Sequence, residues 1–502
     1  MRPRPSRVVR ASIALFLITF AVYWSFGPKQ TAYDYQLSQA NNIVHGHLDM
    51  TEQYTRNLGV LERVLYDGQG FCLPVNDPRG PAAAEAIEDP RITPDCRTYM
   101  QHSLGPAFLL VPLVLAGGMD VNQTLVSILI AALTAPLVFA ITRRFSDDFV
   151  TQIAMTVLAM FGTILWWVGS NGGVWFFAHT TAVFFLFGAI YATVVLRSPL
   201  AAGALVGAAF MCRPTTILAG FFPLVALADQ WLPPAPTGLA PWRRLRAAPL
   251  LRLVTGVAPF LLVAMAVNVL RFGDPLESGY GYGEQVHQIR LRDVYEHGLL
   301  SIYYVARHVA VVWEQMPIFA DHGSYVWPSW AGLAVWVTTP ALFSGLFVHI
   351  GAHRRLTQAT GVAIALACAV AITRAVASGF GWREFGIPPG AALLPFWAAV
   401  AVAVLLAVRA RDRLVLACWA AIVPIAFADW LFAATGWAQF GYRYSLDFLP
   451  FLLLLVIIAV GPRVRAHHLA LIGLAVAVNL WGVLWINLFA PLELWGWTWV
   501  SF

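Results

Sequence analysis

The sequence has little charge for its length. Of its 502 residues only 12% are Asp, Glu, Lys or Arg, whereas 59% are hydrophobic and the mean hydropathy is +0.68. Soluble globular domains carry about a quarter of their residues as charged side chains. The shortage of charge therefore excludes a soluble enzyme and indicates an integral membrane protein.

The sequence also lacks the short motifs by which many soluble enzymes bind nucleotides or metals. It contains no Walker A motif, no dinucleotide fingerprint, no CxxC pair and no HExxH. Its glycine-rich stretch 279–284, "GYGYGE", has no P-loop lysine and no strand-to-helix context. The net charge of +6 comes from arginines in short clusters between apolar runs, so no nucleic-acid partner is expected.

Apolar stretches of about 18 to 22 residues recur along the chain, each long enough to cross roughly 30 Å of hydrocarbon as a helix. We expect an all-α fold, a polytopic transmembrane bundle of about 13 crossings in one integral membrane domain, 1–502. The apolar stretch 104–118 is short and contains two prolines, so it is predicted to lie in the outer interface. The predicted crossings are 11–27, 120–142, 149–169, 176–196, 200–213, 214–231, 250–270, 331–350, 357–376, 391–409, 413–433, 447–461 and 467–489.

Arginine clusters predict the orientation of this bundle. Cytoplasmic loops are enriched in Lys and Arg, and the clusters fall between alternate crossings, as at 143–144, 354–355 and 463–465. We expect a protein of the cytoplasmic (inner) membrane with a cytoplasmic N-terminus and an uncleaved signal anchor. Two long extracytoplasmic segments follow, 28–119, with interfacial helices, and 271–330.

Two of the five cysteines, Cys72 and Cys96, lie outside the predicted helices, and both fall in the first outer loop. A disulfide bond between them is expected in an oxidising compartment, the alternative being two unrelated thiols. Cys212, Cys368 and Cys418 lie in predicted helices and are interpreted as packing residues.

An acidic residue, Asp34, follows the first predicted crossing by only a few positions. A helix beginning at Tyr33 would have a polar stripe, which we expect to face a cavity, and an opposite apolar stripe, which we expect to pack on the bundle. The alternative is that Asp34 only caps the N-terminus of this helix. The polar stripe comprises Asp34, Ser38, Asn41 and His45, and the apolar stripe comprises Leu37, Ala40, Val44 and Leu48.

An isolated carboxylate on the extracytoplasmic face suits a particular class of reaction. Nucleotide-activated sugars are not available there, so a glycosyl donor has to cross the membrane on a lipid such as polyprenyl phosphate. Phosphate leaves without being protonated, so one base suffices where a glycosidase uses two carboxylates. Asp34 is the predicted base, and cations are expected to hold the departing phosphate.

Two arginines are candidates for holding that phosphate. Arg443, in "FGYRYSLDFLP", lies at the outer mouth of a predicted crossing, and Arg213, in "MCRPTTI", lies within the apolar region. A guanidinium pairs with phosphate in a fork geometry, and an arginine inside a membrane needs a partner. The alternative is a structural salt bridge, such as Arg443 with Asp447 four residues later.

Other polar and aromatic side chains near the outer loops are candidates for contacting substrate. Glu284 and His287 would share one face of a helix, but two ligands are too few to specify a metal, so no metal or other cofactor is predicted. For His179 the alternative is packing between helices. The candidates are Tyr33, His45, His102, His179, Tyr280, Glu284, His287 and Tyr442.

Five segments carry a resemblance to a known class: "TAYDYQLSQANNIVHGHLDM", "YMQHSLGPAFLLVPLVLAGG", "MCRPTT", "RFGDPLESGY" and "FGYRYSLDFLPFL". Together they resemble the GT-C class of polyprenyl-phosphate-sugar glycosyltransferases, which includes protein O-mannosyltransferases, lipid A aminoarabinose transferases and mycobacterial arabinofuranosyltransferases. The resemblance implies a GT-C-like fold, Asp34 as the acceptor's base and Arg443 at the donor phosphate.

The chain departs from that class in one outer turn. Several of its families carry a second acid between the third and fourth helices, whereas this turn, "GSNGGVWFFAH", has Asn171 and His179 and no carboxylate. The departure favours a metal-independent mechanism.

We therefore expect an inverting-type glycosyltransferase that moves a sugar from a polyprenyl phosphate to a hydroxyl of a glycan, lipid or protein of the cell envelope. The main alternative is a transporter or lipid flippase of envelope precursors, which would bind its substrate near the bilayer midplane. Most ionisable residues fall at the ends of predicted crossings, which favours the enzyme. A noncatalytic scaffold for envelope assembly is a third hypothesis.

Overall fold

The computed structural model describes residues 5–56, 63–70, 72–73, 91–232, 245–280, 294–319, 326–329, 331–377, 393–436 and 439–489. These residues are mostly helical. The α-helices are α1 Pro5–Phe26, α2 Tyr35–Val44, α3 Gly105–Gly117, α4 Gln123–Thr142, α5 Phe149–Phe161, α6 Leu165–Asn171, α7 Val174–Val194, α8 Pro199–Cys212, α9 Phe221–Ala226, α10 Ala228–Trp231, α11 Ala247–Phe272, α12 Tyr304–Glu314, α13 Val335–Thr338, α14 Phe347–Ile350, α15 Arg354–Ala377, α16 Leu394–Ala410, α17 Arg413–Trp430, α18 Leu449–Val460 and α19 Ala466–Leu484.

In the described ranges seven helices are long and apolar enough to cross a membrane, namely α1, α4, α7, α11, α15, α17 and α19. α5 and α6 meet at a bend of 56° and together make an eighth candidate span. The protein is therefore a polytopic helical membrane protein with seven or eight candidate spans. The expected number of about 13 crossings is not supported by these helices.

Two predicted crossings are not continuous helices, which explains part of this difference. The segment 214–231 is divided into a 3-10 helix, Pro214–Gly220, followed by α9 and α10. The segment 331–350 is divided into α13, a 3-10 helix, Pro340–Leu346, and α14. Proline has no N–H and its ring clashes with the preceding turn, so a proline at the start of each 3-10 helix interrupts the α-helical pattern. The helices α8, α16 and α18 are continuous but short, with 14, 17 and 12 residues.

The helix α7 lies in the core of the bundle between α4 and α8, and most of its residues are buried. Its threonines donate hydrogen bonds to carbonyls one turn earlier in the same helix, as Thr180 does to Phe176 and Thr193 to Ala189 at 2.9 and 2.7 Å. These bonds satisfy polar groups for which an apolar environment offers no other partner.

The helices α8 and α11 pack closely because glycines lie at their crossing. A Cβ atom on Gly203 would clash with the carbonyl oxygen of Leu253, and one on Gly256 would clash with that of Leu200. Small residues allow helix backbones to approach in this way in membrane proteins.

Contacts near the helix termini bring several of them together at one end of the bundle, which we call the arginine-rich end. The Ser146 hydroxyl donates to the Pro462 carbonyl at 2.6 Å, and the Val464 N–H donates to the Thr151 hydroxyl at 2.8 Å. These bonds bring the arginine clusters at 143–144 and 463–465 to the same end of the bundle.

The opposite end, which we call the site end, contains the start of α4 and the turn between α6 and α7. There Asn122 donates to the Lys29 carbonyl and Gln123 to the Gly172 carbonyl, both at 2.7 Å. The link to Lys29 places the beginning of segment 28–119 at this end.

Within segment 28–119, α2 packs on α3. Leu37 and Ala40 of α2 are buried against Ala107, Leu110 and Val114 of α3, so the stripe that contains Leu37 and Ala40 faces the protein interior, as the sequence predicted. Beyond α2, Gly46 has a φ of +85°, a backbone conformation that glycine adopts without a steric penalty and that commonly ends helices.

Two short sheets complete this segment. β1, Arg63–Tyr66, pairs antiparallel with β4, Arg97–Met100, and β2, Cys72–Leu73, pairs parallel with β3, Arg91–Ile92. A third pair, β5 Ile318–Phe319 with β6 Val326–Trp327, lies in segment 271–330.

A disulfide bond joins Cys72 and Cys96 beside these strands. Tyr66 of β1 and Tyr99 of β4 pack on Phe272, with ring centroids 5.5 and 5.2 Å apart. The strands are thereby held against the end of α11.

Candidate functional site

Asp34 occupies the N-cap position of α2 and is only 4% exposed. Its carboxyl makes no capping hydrogen bond to the helix. Instead, Nη1 of Arg56 donates to Oδ2 of Asp34 at 3.3 Å. The geometry therefore does not support the interpretation that Asp34 serves only as a helix cap.

Two opposing influences act on the pKa of Asp34. Burial raises the pKa of the carboxyl because the charged form loses hydration, and the positive charge of Arg56 partly offsets this by lowering the pKa. The net effect is a pKa above the ordinary value for aspartate. A higher pKa makes the ionised carboxylate a stronger proton acceptor.

Residues 51–56 lie along the polar stripe of α2. Asn41 donates to the Tyr54 carbonyl at 2.9 Å, and the Arg56 N–H donates to the Ser38 hydroxyl at 3.3 Å. His45 is exposed, and its ring stacks on that of Tyr54 with centroids 4.0 Å apart. The sequence predicted that this stripe faces a cavity, but the chain turns back after Gly46 and covers it with protein.

The residue before Asp34 is anchored to the N-terminus of α7. The N–H of Val174 donates to the Tyr33 carbonyl at 2.9 Å, and the rings of Tyr33 and Trp175 are 5.1 Å apart. The His102 ring lies 6.3 Å from that of Trp175. The structure therefore brings Tyr33 and His102, two residues predicted to contact substrate, to the indole ring of Trp175 beside Asp34.

Arg443, from a late part of the chain, contacts the same turn of α7. Its guanidinium carbon lies 5.9 Å from the centre of the Phe176 ring and 5.5 Å from that of Tyr444. Phe176 follows Val174 by two positions, about 3 Å along the helix axis. The segment that carries Asp34 and the side chain of Arg443 thus each contact the first turn of α7.

Next to this turn, Asp447 is completely buried and accepts four hydrogen bonds. Arg213 Nε donates to Oδ2 at 3.0 Å and to Oδ1 at 3.4 Å, the Thr215 hydroxyl donates to Oδ2 at 3.0 Å, and His179 Nδ1 donates to Oδ1 at 2.9 Å. Nη2 of Arg213 also makes an ion pair with Oδ2 at 2.9 Å. Asp429, also buried, lies 3.8 Å from Nη2 of Arg213. We call Asp447, Asp429, Arg213, Thr215 and His179 the Asp447 cluster.

The cluster gives structural partners to two predicted site residues. Arg213 binds Asp447 through two nitrogens and lies under the Tyr444 ring, 5.1 Å from its centre. Because an ionised carboxylate can only accept, His179 carries its hydrogen on Nδ1. The ion pair suggested for Asp447 and Arg443 is made by Asp447 with Arg213 in the described residues.

The sequence did not predict that Asp429 and Asp447 come together around Arg213. The contacts of Asp447 with Arg213 and His179 join residues 234 and 268 positions apart. The available signal was the cost of an arginine in an apolar region, which demands an acidic partner but does not say which one.

Tyr442 and Tyr280 lie on the α12 side of the site end. The Tyr442 hydroxyl is bonded to His308 Nδ1 at 2.8 Å, and His308 Nε2 is bonded to the Phe432 carbonyl at 2.7 Å. The Tyr280 ring is 6.3 Å from that of Phe432. Glu284 and His287 lie outside the described residues. The described part of the chain contains no group of three or more His, Cys, Asp or Glu side chains placed to hold a metal ion.

Removing Arg213 should destabilise the fold, because Asp447 would be left buried without its cation. We expect Arg213→Leu to lower the free energy of unfolding by about 3–5 kcal/mol. The matched control is Arg197→Gln, which removes an exposed ion pair with Asp229 and should cost at most about 1 kcal/mol. Unfolding of the purified protein in detergent measures both. Equally small losses in the two variants would contradict the buried pair.

Comparisons of the chain with models of protein families, with curated proteins and with solved structures found no match. The functional interpretation is therefore based on the residues and geometry of the site end.

Proposed function

We propose that the protein is a membrane glycosyltransferase of the GT-C type, which transfers a sugar from a polyprenyl phosphate to a hydroxyl of a cell-envelope glycan, lipid or protein. The observation that carries the proposal is that the Asp34 segment and Arg443 both contact the first turn of α7. A base for the acceptor and a cation for the departing phosphate are the groups that this transfer needs.

In the proposed reaction, the Asp34 carboxylate accepts the proton of the acceptor hydroxyl while its oxygen attacks the anomeric carbon. The bond from that carbon to the phosphate oxygen breaks, and its electron pair leaves with the polyprenyl phosphate. Attack opposite to the leaving group inverts the anomeric configuration. The burial of Asp34 supports this role because it raises the pKa of the accepting group.

Arg443 is the proposed ligand of the departing phosphate. A guanidinium presents paired N–H donors that fit two phosphate oxygens. Arg213, the second predicted candidate, uses Nε and one Nη for Asp447. We therefore assign the main phosphate contact to Arg443 and a supporting positive charge to Arg213.

The proposal also includes a topology. The site end would face out of the cytoplasm across the cytoplasmic membrane, and the arginine-rich end would face the cytoplasm. The shorter helices α8, α16 and α18 and the two broken segments would supply the further crossings of a GT-C-like bundle. A short helix can cross where the bilayer is locally thinner.

A transporter or lipid flippase of envelope precursors is the alternative, and the Asp447 cluster is the observation that favours it. Buried ionisable groups in membrane proteins often mark the path of a substrate or ion. Only the transferase forms a glycosidic bond, so movement of substrate into sealed vesicles without a glycosylated product would support the transporter.

Asp34→Asn tests the proposed base. The amide keeps the size of the side chain and removes its basicity, so transfer should fall at least about 100-fold. Mass spectrometry of envelope glycans and polyprenyl-phosphate sugars from a deletion strain first identifies the sugar, and transfer is then measured in membranes. Asp49→Asn, in the same segment, should keep normal activity. Near-normal turnover by folded Asp34→Asn would reject the assignment.

Arg443→Lys tests the phosphate contact. Lysine keeps the charge but replaces the fork by a single ammonium, so the KM for the donor should rise about tenfold or more. The measurement is the dependence of initial rate on donor concentration, with the exposed Arg463→Lys as the control. An unchanged donor KM and rate would indicate that Arg443 has only a structural role.

A further inference from the structure

The two carboxylates of the Asp447 cluster, Asp447 and Asp429, differ in how many hydrogen-bond donors they contact. Nη2 of Arg213 is 2.9 Å from Oδ2 of Asp447 but 3.8 Å from Oδ1 of Asp429, which is beyond hydrogen-bonding distance. Asp429 is 3% exposed, and its Oδ2 has no hydrogen-bond partner among the described residues. The hydrogen bonds of the Arg213 guanidinium therefore go to Asp447, whereas Asp429 has only a longer ion-pair contact with it.

The hydroxyl groups beside Asp429 donate their hydrogens to other acceptors. Thr215 neighbours Asp429, and its single hydrogen is donated to Asp447 Oδ2 at 3.0 Å. Tyr442 also neighbours Asp429, and its hydroxyl is bonded to His308 Nδ1 at 2.8 Å.

The tautomer of His308 fixes the direction of that last bond. His308 Nε2 faces the Phe432 carbonyl at 2.7 Å, and a carbonyl only accepts, so Nε2 carries the hydrogen. Burial also lowers the pKa of His308 to about 4, which keeps the ring neutral. Nδ1 therefore accepts the hydrogen of Tyr442, which is not available to Asp429.

Of the charged groups on other elements packed against α17, the Arg443 guanidinium lies against the Phe176 and Tyr444 rings, and those of α12 have other partners. On α12, Arg307 donates to the carbonyls of Val294 and Ala433, and Glu314 pairs with Arg374. The neighbouring α9 and α18 contain no ionisable side chain, and Arg409 of α16 lies in the last turn of its helix.

An ionised carboxylate in this position would be a buried charge without a donor on one oxygen, which costs several kcal/mol. We propose that Asp429 is a proton-binding site, which holds one proton from solvent on its carboxyl at neutral pH. The new O–H donates to the Thr215 hydroxyl, which donates in turn to Asp447. The proton thus completes a chain of hydrogen bonds from Asp429 through Thr215 to Asp447.

The proton also sets the charge of the site end. With Asp429 neutral, the positive charges of Arg213 and Arg443 exceed the single negative charge of Asp447. Ionisation of Asp429 would cancel this excess. A net positive charge favours the phosphate of the donor, and this consequence, unlike the proton site itself, rests on the proposed function.

Infrared spectroscopy of the full-length protein tests the proposal at neutral pH, with isotope-labelled aspartate to assign the bands. The unaltered protein should show the C=O band of a protonated aspartic acid, and this band should be missing from Asp429→Asn. Asp447→Asn should lose only carboxylate bands, and Asp34→Asn identifies any contribution from that buried carboxyl. Loss of carboxylate bands alone in Asp429→Asn would overturn the proposal.

Thermal unfolding of the same variants gives a second readout. Asparagine is a neutral substitute of the same size, so Asp429→Asn should unfold within about 2 °C of the unaltered protein, whereas Asp447→Asn should lose about 5 °C or more. If Asp429→Asn fails to fold or loses as much as Asp447→Asn, Asp429 is ionised and the proposal is wrong. Neither measurement uses glycosyl transfer, so a failure of the proposed function would leave both results unchanged.

Discussion

The buried carboxylate of Asp447 is the interaction on which the site end depends. It holds α7 through His179, the end of α8 through Arg213, and the following 3-10 helix through Thr215. Each of these polar groups would be costly alone in an apolar environment, so the elements that carry them pack stably only when the cluster is complete. Asp447 itself ends another 3-10 helix, Arg443–Asp447. Arg443 begins that helix, and its guanidinium is thereby held beside α7.

The first turn of α7 brings together two parts of the chain with different properties. Segment 28–119 contributes Asp34 on α2, which packs on α3 and is covered by residues 51–56. The late part of the chain contributes Arg443 from between α17 and α18. In the proposed reaction, the first supplies the base for a hydroxyl acceptor and the second holds the phosphate of a donor anchored in lipid.

The sequence predicted the features that depend on local hydropathy. The crossing expected at 176–196 is α7, Val174–Val194, and the one expected at 250–270 is α11, Ala247–Phe272. It did not predict that 214–231 and 331–350 are broken, because apolar composition alone does not distinguish an α-helix from a 3-10 segment that begins at a proline. Nor did it predict the Asp447 cluster or the cover over α2, since both are contacts between separate segments. The individual residues Asp34, Arg213, His179 and Arg443 were recognisable because charge is rare in this chain.

The dependence of the transfer rate on pH, with and without Arg56, tests the central claim most directly, which is that ionised Asp34 acts as the base. On its acidic limb the rate should fall about tenfold per pH unit below the pKa of Asp34, because the protonated carboxyl cannot accept a proton. Arg56 lowers this pKa, so Arg56→Gln should move the falling limb to higher pH, while Arg144→Gln at the arginine-rich end should leave it in place. If the transfer rate falls at the same pH in Arg56→Gln as in the unaltered protein, the account is contradicted.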